Sequence, residues 1–205
     1  MARDRRETER KLIEAAGRLM AREGFARLGV NAVAAEAGVD KVLIYRYFDG
    51  LPGLIRAYAR QGDFWPGADE LLAMPLAEFR AKTPADQMAT VMENMARAVR
   101  RRPQTLEILA WEMVERNALT AHLEEVRERQ GRALARALVE EAADGARAGK
   151  AALDEDALAA ILTAAILYLA ARSRKIRIFN GVEIREEAGW RRLTDTMRQL
   201  CERSL

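Results

Sequence analysis

The sequence predicts an all-α protein, and three observations support this fold class. Apolar residues recur with helical spacing, for example at Leu12, Ala16 and Leu19. Only five of the 205 residues are Pro and 13 are Gly, so few residues interrupt helical segments. The third observation is a short segment, residues 35–48, that has room for two short helices joined by a tight turn.

This segment, AEAGVDKVLIYRYF, has the spacing of a helix-turn-helix that could contact DNA. Gly38 lies at the turn, where positive φ carries no steric penalty for Gly. Asp40 is a candidate N-cap, because its carboxylate can accept a hydrogen bond from an amide of the following first turn. In the second helix Ile44 and Phe48 are four residues apart on one face, which leaves the other face free.

Periodicity and capping signals predict the remaining helices in chain order. An amphipathic helix over about 8–23 ends at Gly24 and is followed by Phe25. Pro52 favours the first position of a fourth helix. Gly and Pro residues interrupt the helical periodicity at 62–75, which predicts a boundary region between domains. The predicted helices cover about 8–23, 30–37, 41–48, 52–61, 83–102, a segment from after Pro103 to 116, 120–143, 154–174 and a final helix through 190–201.

Two stretches carry a family resemblance. LIEAAGRLMAREGF at 12–25 and VNAVAAEAGVDKVLIYRYF at 30–48 resemble the N-terminal domain of TetR-type transcriptional regulators. The resemblance covers about the first 55 residues, and beyond residue 60 it is one of helical layout. It implies an N-terminal three-helix helix-turn-helix DNA-binding domain, residues 1–51. A larger C-terminal helical domain for effector binding and dimerisation, residues 52–205, would follow, with the helix at about 52–61 as connector.

The chain departs from the family pattern at positions near DNA. Leu51 replaces a Lys that commonly holds a phosphate, and Leu28 and Gly29 replace the usual Thr-Thr before helix 2. Val42 and Leu43 replace a small Gly and a Thr. Because these apolar side chains can contact the methyl group of thymine, we expect a preference for thymine opposite one of them.

The candidate DNA-binding residues combine the resemblance with side-chain chemistry. An N-cap is the alternative role for Asn31, and core packing is the alternative for Tyr47. Residues 1–60 contain 12 Lys or Arg against 8 Asp or Glu, and Arg3, Arg5 and Arg6 form either a basic arm ahead of helix 1 or a frayed terminus. The candidates are Asn31, Lys41, Val42, Leu43, Tyr45, Arg46 and Tyr47.

The C-terminal region yields two further sets of candidates, and ordinary core packing is the alternative for both. Met and aromatic side chains could line an adaptable apolar effector pocket: Phe64, Trp65, Met88, Met92, Met95, Trp111, Met113, His122 and Tyr168. For His122 a surface or capping role is the alternative. Apolar residues of the last two helices could form a homodimer interface: Ile161, Leu162, Leu169, Trp190, Leu193, Met197 and Leu200.

Composition predicts a cytoplasmic protein with no membrane partner. Cys201 is the single cysteine, which excludes an intramolecular disulfide, and the start of the chain does not resemble a signal sequence. The longest apolar run, 157–171, is shorter than the roughly 20 residues needed to span a bilayer. We therefore interpret it as a buried helix.

The sequence gives no support for an enzyme, a cofactor or a metal site. One His, one Cys and two Ser near the C-terminus provide no nucleophile-base arrangement, and no Gly-rich phosphate loop or metal-ligand spacing occurs. Two alternatives remain open: a helical protein-binding adaptor, and a helical-bundle enzyme. The interpretation favoured by the residues and the resemblance is a ligand-responsive regulator. It would repress from a double-stranded DNA operator and be released by a small hydrophobic effector.

Overall fold

The computed structural model describes residues 2–24, 27–60, 65–113, 118–139 and 154–205. This part of the chain contains eleven α-helices and one two-stranded sheet, which confirms the all-α prediction. The helices are α1 (Ala2–Glu23), α2 (Val30–Ala37), α3 (Val42–Phe48), α4 (Leu51–Arg60), α5 (Ala68–Leu72), α6 (Leu76–Arg80), α7 (Pro84–Arg100), α8 (Pro103–Glu112), α9 (Ala118–Val139), α10 (Glu155–Ser173) and α11 (Glu187–Ser204).

Contacts within the chain group it into two compact units. The first unit comprises Met1–Trp65 and Arg102–Glu128, and the second comprises Pro66–Arg101 and Arg129–Leu205. This grouping reflects chain contacts and not the binding of DNA or an effector. The functional boundary between residues 51 and 52 therefore stays a prediction.

The core of the first unit lies beneath helices α1 to α4. Helix α1 packs against α2, α4 and α8, and α3 packs against α4. The predicted apolar face of α1 is buried, and one residue of α3, Ile44, is fully buried in the same cluster. The buried members of this cluster are Leu12, Ile13, Ala15, Ala16, Leu19, Val33, Ala34, Ile44 and Leu54.

The turn between α2 and α3 has the predicted positive-φ glycine, but the N-cap of α3 is Lys41 and not the predicted Asp40. Gly38 has φ 67°, and its amide donates to the carbonyl oxygens of Ala34 and Ala35. The carboxylate of Asp40 accepts a hydrogen bond from the amide of Val42 at 2.8 Å. These contacts satisfy backbone groups at the end of one helix and the start of the next, so the sharp turn leaves few polar groups unpaired.

The junction between α3 and α4 is equally tight. Asp49 and Gly50 both have positive φ, 58° and 92°, and the amide of Asp49 donates to the carbonyl oxygen of Tyr45 at 3.0 Å. At Gly53 a Cβ atom would lie 1.5 Å from the carbonyl oxygen of Phe48. A side chain at that position is therefore incompatible with the observed approach of α4 to α3.

An exposed ion-pair network connects α1 to α2. Arg18 donates from Nε to Glu36 Oε1 at 2.9 Å, and Arg22 donates from Nη2 to Glu36 Oε2 at 2.9 Å. These contacts, that of Arg22 first and that of Arg18 second, lower the pKa of Glu36. The carboxylate therefore favours the docked position of α2 as long as it is ionised.

The second unit is organised around α7, which packs against α5, α10 and α11. Trp190 of α11 is buried, and its indole Nε1 donates to the carbonyl oxygen of Ile184 at 2.7 Å. Arg198 donates to Glu93 at 2.6 Å and to Asp86 at 3.1 Å, which connects the far end of α11 to α7. Three members of the predicted amphipathic stripe, Trp190, Met197 and Cys201, are thus buried within the chain, whereas Leu200 is exposed.

Several sequence expectations are corrected here. Arg3, Arg5 and Arg6 do not form an arm ahead of helix 1, because α1 begins at Ala2 and includes them. The boundary region predicted at 62–75 does contain the division between the units at Trp65 and Pro66, but it also contains a short helix, α5, which was not predicted. Phe25 and residues 140–143 of the predicted long helix lie outside the described residues.

A β-hairpin occupies the segment between α10 and α11, which sequence analysis treated as a link. Strand β1 (Ile178–Phe179) pairs antiparallel with β2 (Val182–Glu183). The two turn residues, Asn180 and Gly181, have φ 45° and 78°. Asn-Gly is the preferred pair for a turn with two positive φ angles, because it matches the twist of the strands. The sequence signal was therefore present.

Helix α10 differs from the predicted buried helix. It is long and apolar enough to cross a membrane by length and composition, with mean hydropathy 1.4 and 28% of its apolar window buried. One such helix is weak evidence for a membrane span, since core helices of soluble proteins pass the same test. Only one side of α10 is buried: Leu162, Ile166 and Leu169 are covered, whereas Ile161 is 66% exposed.

The close approach at Gly53 predicts a strong effect of one added methyl group. We expect Gly53→Ala to lower the free energy of unfolding by about 1–3 kcal/mol, because α4 must move away from Phe48. Chemical denaturation of the full chain measures this change. The matched control is Gly131→Ala, also within a helix, where an added Cβ meets nothing within 4 Å; it should be neutral or slightly stabilising. Equal stability of the two variants would contradict the prediction.

The network at Glu36 predicts a pH-dependent contribution to stability. Since the folded-state pKa of Glu36 is lowered from 4.5, its contribution is present above that value and is lost as the pH falls through the folded pKa. We expect Glu36→Gln to melt at a lower temperature than wild type at pH 7. The two proteins should converge in melting temperature as the pH drops below 4.5. A difference that stays constant over that range would argue against the ion-pair explanation.

Candidate nucleic-acid interface

Helix α3 presents one face to the core and the opposite face to solvent. Ile44 is fully buried, whereas Val42 and Tyr45 are 58% and 59% exposed. Arg46 and Asp49 are also exposed. The positions 42, 45 and 46 follow the i, i+3, i+4 spacing of one helix face, whereas Asp49 lies beyond the end of α3 with φ 58°. We call the three residues Val42, Tyr45 and Arg46 the outward face of α3.

Single exposed apolar side chains are common on protein surfaces, whereas adjoining ones form a patch that can serve in binding. Two of them lie one turn apart on the outward face of α3, and the basic residues Lys41 and Arg46 lie beside them. Both basic side chains are exposed, and within the described residues neither forms an ion pair. An apolar surface beside unpaired cations can contact both base edges and phosphates.

The structure excludes one of the two predicted roles for Asn31, and its contact with DNA stays a prediction. Helix α2 is capped by Gly29, which has extended backbone angles, so Asn31 is not the N-cap. It lies in the first turn of α2 with its side chain exposed. Its amide is therefore available to a partner outside the chain.

Two candidates, Leu43 and Tyr47, lie between core and surface. Both are half-buried and pack against the hydrophobic cluster of the first unit. The guanidinium of Arg5 lies 5.0 Å above the ring of Tyr47, a cation–π contact, while Arg5 Nε also donates to Glu9. Packing thus accounts for Leu43 and Tyr47, and their contact with DNA stays a prediction.

The position where Leu51 replaces the family's phosphate-binding Lys has a packing role in this chain. Leu51 is half-buried against the same hydrophobic cluster, at the first residue of α4. The replacement removes a cation next to the outward face of α3 and adds an apolar contact at the start of α4.

The predicted effector residues fall in both units. Of those in the first unit, Trp65 is buried, Trp111 is half-buried and Met113 is exposed. In the second unit Met92 and Met95 are buried, Met88 is half-buried and Tyr168 is 41% exposed. Phe64 and the side chain of His122 lie outside the described residues. Their role in effector binding stays a prediction.

The methionines of α7 serve the packing of the second unit. The hydroxyl of Thr163 on α10 lies 3.8 Å from the sulfur of Met92 and donates toward it. This contact connects α7 with α10, as expected for the alternative interpretation of the Met stripe as core. The described cleft between α7 and α11 is instead polar, lined by charged residues that include Arg97, Arg191 and Asp195.

Sequence reasoning missed a paired charge in the first unit. The guanidinium of Arg127 contacts both carboxylate oxygens of Glu112, at 2.8 and 2.7 Å, and lies 5.7 Å from the ring of Trp65. Burial raises the pKa of Glu112, and the contact with Arg127 opposes that shift. Glu112 and Arg127 are 15 residues apart, so no local motif marks them.

The predicted dimerisation residues divide by exposure. Ile161 and Leu200 are exposed and Leu193 is half-buried. The other four, Leu162, Leu169, Trp190 and Met197, are buried within the second unit. For those four the structure supports the alternative interpretation, an intrachain core, so a dimer would rest on the exposed members.

Comparison with known proteins gives a family match over the helix-turn-helix region. Residues 12–58, which span α1 to α4, match the family of bacterial regulatory proteins known as the tetR family. No match among curated proteins was found.

Solved structures extend the similarity to nearly the whole chain. The fatty acid degradation regulator FadR from Bacillus halodurans is 16% identical with TM-score 0.63, covering 95% of this chain and 94% of that one. A TetR-like regulator from Rhodococcus sp. RHA1 is 18% identical with TM-score 0.58, covering 96% and 94%. The TetR-family regulator HI0893 from Haemophilus influenzae is 19% identical with TM-score 0.56, covering 97% and 96%. At these identities the likeness establishes the fold.

The match over residues 12–58 coincides with the helix-turn-helix whose outward face was derived above. The chain therefore carries, over residues 12–58, the N-terminal helix-turn-helix domain of the bacterial regulatory proteins of the tetR family, as expected of a DNA-binding transcriptional regulator.

Proposed function

We propose that this regulator is a repressor that binds a two-fold operator as a homodimer and leaves it when a small hydrophobic effector binds. The observation that carries the proposal is the outward face of α3, where Val42 and Tyr45 are exposed beside Lys41 and Arg46, two cations that form no ion pair in the described part of the chain. Access to the operator implies a cytoplasmic location.

The chemistry of the interface residues suggests a role for each. Lys41 is a point charge suited to a phosphate, and the Tyr45 hydroxyl can donate to a backbone oxygen. Arg46 can donate two hydrogen bonds to guanine, and the amide of Asn31 can pair with adenine or a phosphate. Leu43 and Tyr47 contribute from the edge of the interface while they support α3 from beneath.

The exposed side of α10 is the surface that a second copy of the chain would cover. Positions 157, 161, 164 and 168 follow the i, i+4, i+7, i+11 spacing of one helix face, and all four side chains are exposed. They are Ala157, Ile161, Ala164 and Tyr168, on a helix whose other side is already packed in the chain. An apolar helix face of this length favours burial, and a helix-turn-helix that reads a two-fold site needs two copies about 34 Å apart.

Effector control follows from differential binding. An effector that binds another conformation of the dimer more tightly than the operator-bound conformation lowers the affinity for the operator. The operator lowers the affinity for the effector by the same factor, because the coupling is reciprocal. The methionine and aromatic candidates could accommodate an apolar compound, because thioether side chains adapt to varied shapes.

Substitution of the exposed residues of α3 tests the interface. We expect Tyr45→Ala to remain folded and dimeric but to bind a duplex selected from a random library at least tenfold more weakly. Lys41→Ala should also weaken binding, and it should reduce the slope of log affinity against log salt by about two, one for the lysine of each subunit. Fluorescence anisotropy at several salt concentrations measures both effects.

The charge-matched control for Lys41→Ala is Lys175→Ala, an exposed lysine of the second unit. It should leave both affinity and salt slope unchanged. Wild-type affinity in Tyr45→Ala or Lys41→Ala would remove that residue from the interface. Failure of the wild-type protein to select any duplex at about 100 mM salt would refute sequence-specific DNA binding.

A charge placed on the exposed face of α10 tests the dimer. Ile161 is 66% exposed in the single chain, so Ile161→Arg should fold normally. We expect it to be monomeric in sedimentation and to bind the selected duplex far more weakly, because an arginine would be buried without a partner in the interface. The control is Met113→Arg, at a residue 56% exposed in the first unit, which should stay dimeric.

Two results would contradict this arrangement. A dimer that survives Ile161→Arg would place the interface elsewhere. A monomeric wild-type protein that sediments with vesicles of phosphatidylglycerol, when Ile161→Arg does not, would make a membrane the partner of this face.

A further inference from the structure

Val42 occupies a distinctive position on the outward face of α3. It is the first residue of the helix and is 58% exposed. Its neighbour Leu43 is half-buried against the hydrophobic cluster. Of these two adjacent apolar residues, only Val42 has most of its side chain free to contact another molecule.

The surface that Val42 offers is apolar and rigid. Its amide is already used, because it donates to the carboxylate of Asp40 at 2.8 Å. The side chain is β-branched and has essentially one rotamer in a helix, so its two methyl groups lose little entropy on binding. A partner at this position therefore meets fixed methyl groups and no hydrogen-bond donor.

Two cations beside Val42 favour DNA as that partner, while the neighbouring acid, Asp40, accepts the hydrogen bond from the amide of Val42. Lys41 precedes it, and Arg46 lies one turn along the same face; both are exposed and unpaired within the described residues. Cations that neutralise phosphates hold a recognition helix in the major groove. The only apolar group that a base pair displays there is the 5-methyl group of thymine.

We propose that Val42 recognises the 5-methyl group of one thymine in each operator half-site. This inference rests on the proposed binding of α3 in the major groove, and it assigns part of the sequence specificity to a methyl–methyl contact. Leu43 is not the residue that makes this contact, since its side chain supports the helix from the core side.

The experiment replaces thymine with deoxyuridine, which removes only the methyl group. A duplex is selected from a random library with the wild-type full chain, and each thymine of its half-sites is replaced in turn. We expect the replacement at one position per half-site to weaken wild-type binding about fourfold. This is the change in affinity expected when one buried methyl group is lost, about fourfold. Replacing that thymine in both half-sites should weaken binding about sixteenfold.

The variant Val42→Ala provides the second arm. It should bind the thymine duplex more weakly than wild type but should not distinguish thymine from deoxyuridine at the sensitive position. If its affinity is too low, about 50 mM salt restores binding through the phosphate contacts. The matched control is Ile178→Ala, another exposed β-branched residue, 49% exposed in the second unit. It should retain the full response to deoxyuridine.

The outcomes separate this inference from the proposed function. Three results would overturn the role of Val42 and leave the repressor proposal standing, provided that the protein binds a duplex. These are the absence of a deoxyuridine effect at every position, selected half-sites that lack thymine, and a response of Val42→Ala to deoxyuridine that equals that of wild type. Failure to select any duplex overturns both. An effect present in wild type and Ile178→Ala but absent in Val42→Ala supports the methyl contact.

Discussion

The burial of Ile44 is the constraint on which the DNA-binding surface depends. Helix α3 has only seven residues, and an isolated helix of that length is unstable in water because nucleation is costly. It exists because Ile44 is fully buried in the cluster beneath α1 and α2 and because both of its ends have hydrogen-bonded turns. With Ile44 fixed inward, the 3.6-residue period turns Val42, Tyr45 and Arg46 outward.

The charges of the first unit are divided between structure and binding. Arg18 and Arg22 are engaged with Glu36 and hold α2 against α1. Lys41 and Arg46 lie outside this network and are exposed on α3. The positive charge that α3 offers to DNA is therefore that of Lys41 and Arg46, which form no ion pair within the described residues.

Helix α10 shows how a single chain can leave part of its apolar surface uncovered. Its residues are apolar on all sides, yet α7 covers only the side that contains Leu162, Ile166 and Leu169. A helix of this kind is stable in water when a second surface covers the remainder. This physical requirement, more than any single contact, is the reason to expect a second copy.

The sequence by itself determined what depends on local chemistry. Helical periodicity gave the all-α class, Gly38 gave the positive-φ turn, and Asp40 gave the hydrogen bond to the first turn of α3, because each depends on neighbours within a few residues. The hairpin turn at Asn180 and Gly181 also depends on local chemistry, because an Asn-Gly pair favours a two-residue turn.

Only the tertiary structure decided which of several equivalent apolar faces is buried. Val42 and Leu43 are adjacent and similar in character, as are Ile161 and Leu162, yet one of each pair is exposed and the other is partly or fully covered. The pairing of Glu112 with Arg127 was likewise invisible in the sequence. Burial is set by the packing of elements distant in the chain, and local spacing carries no information about which elements meet.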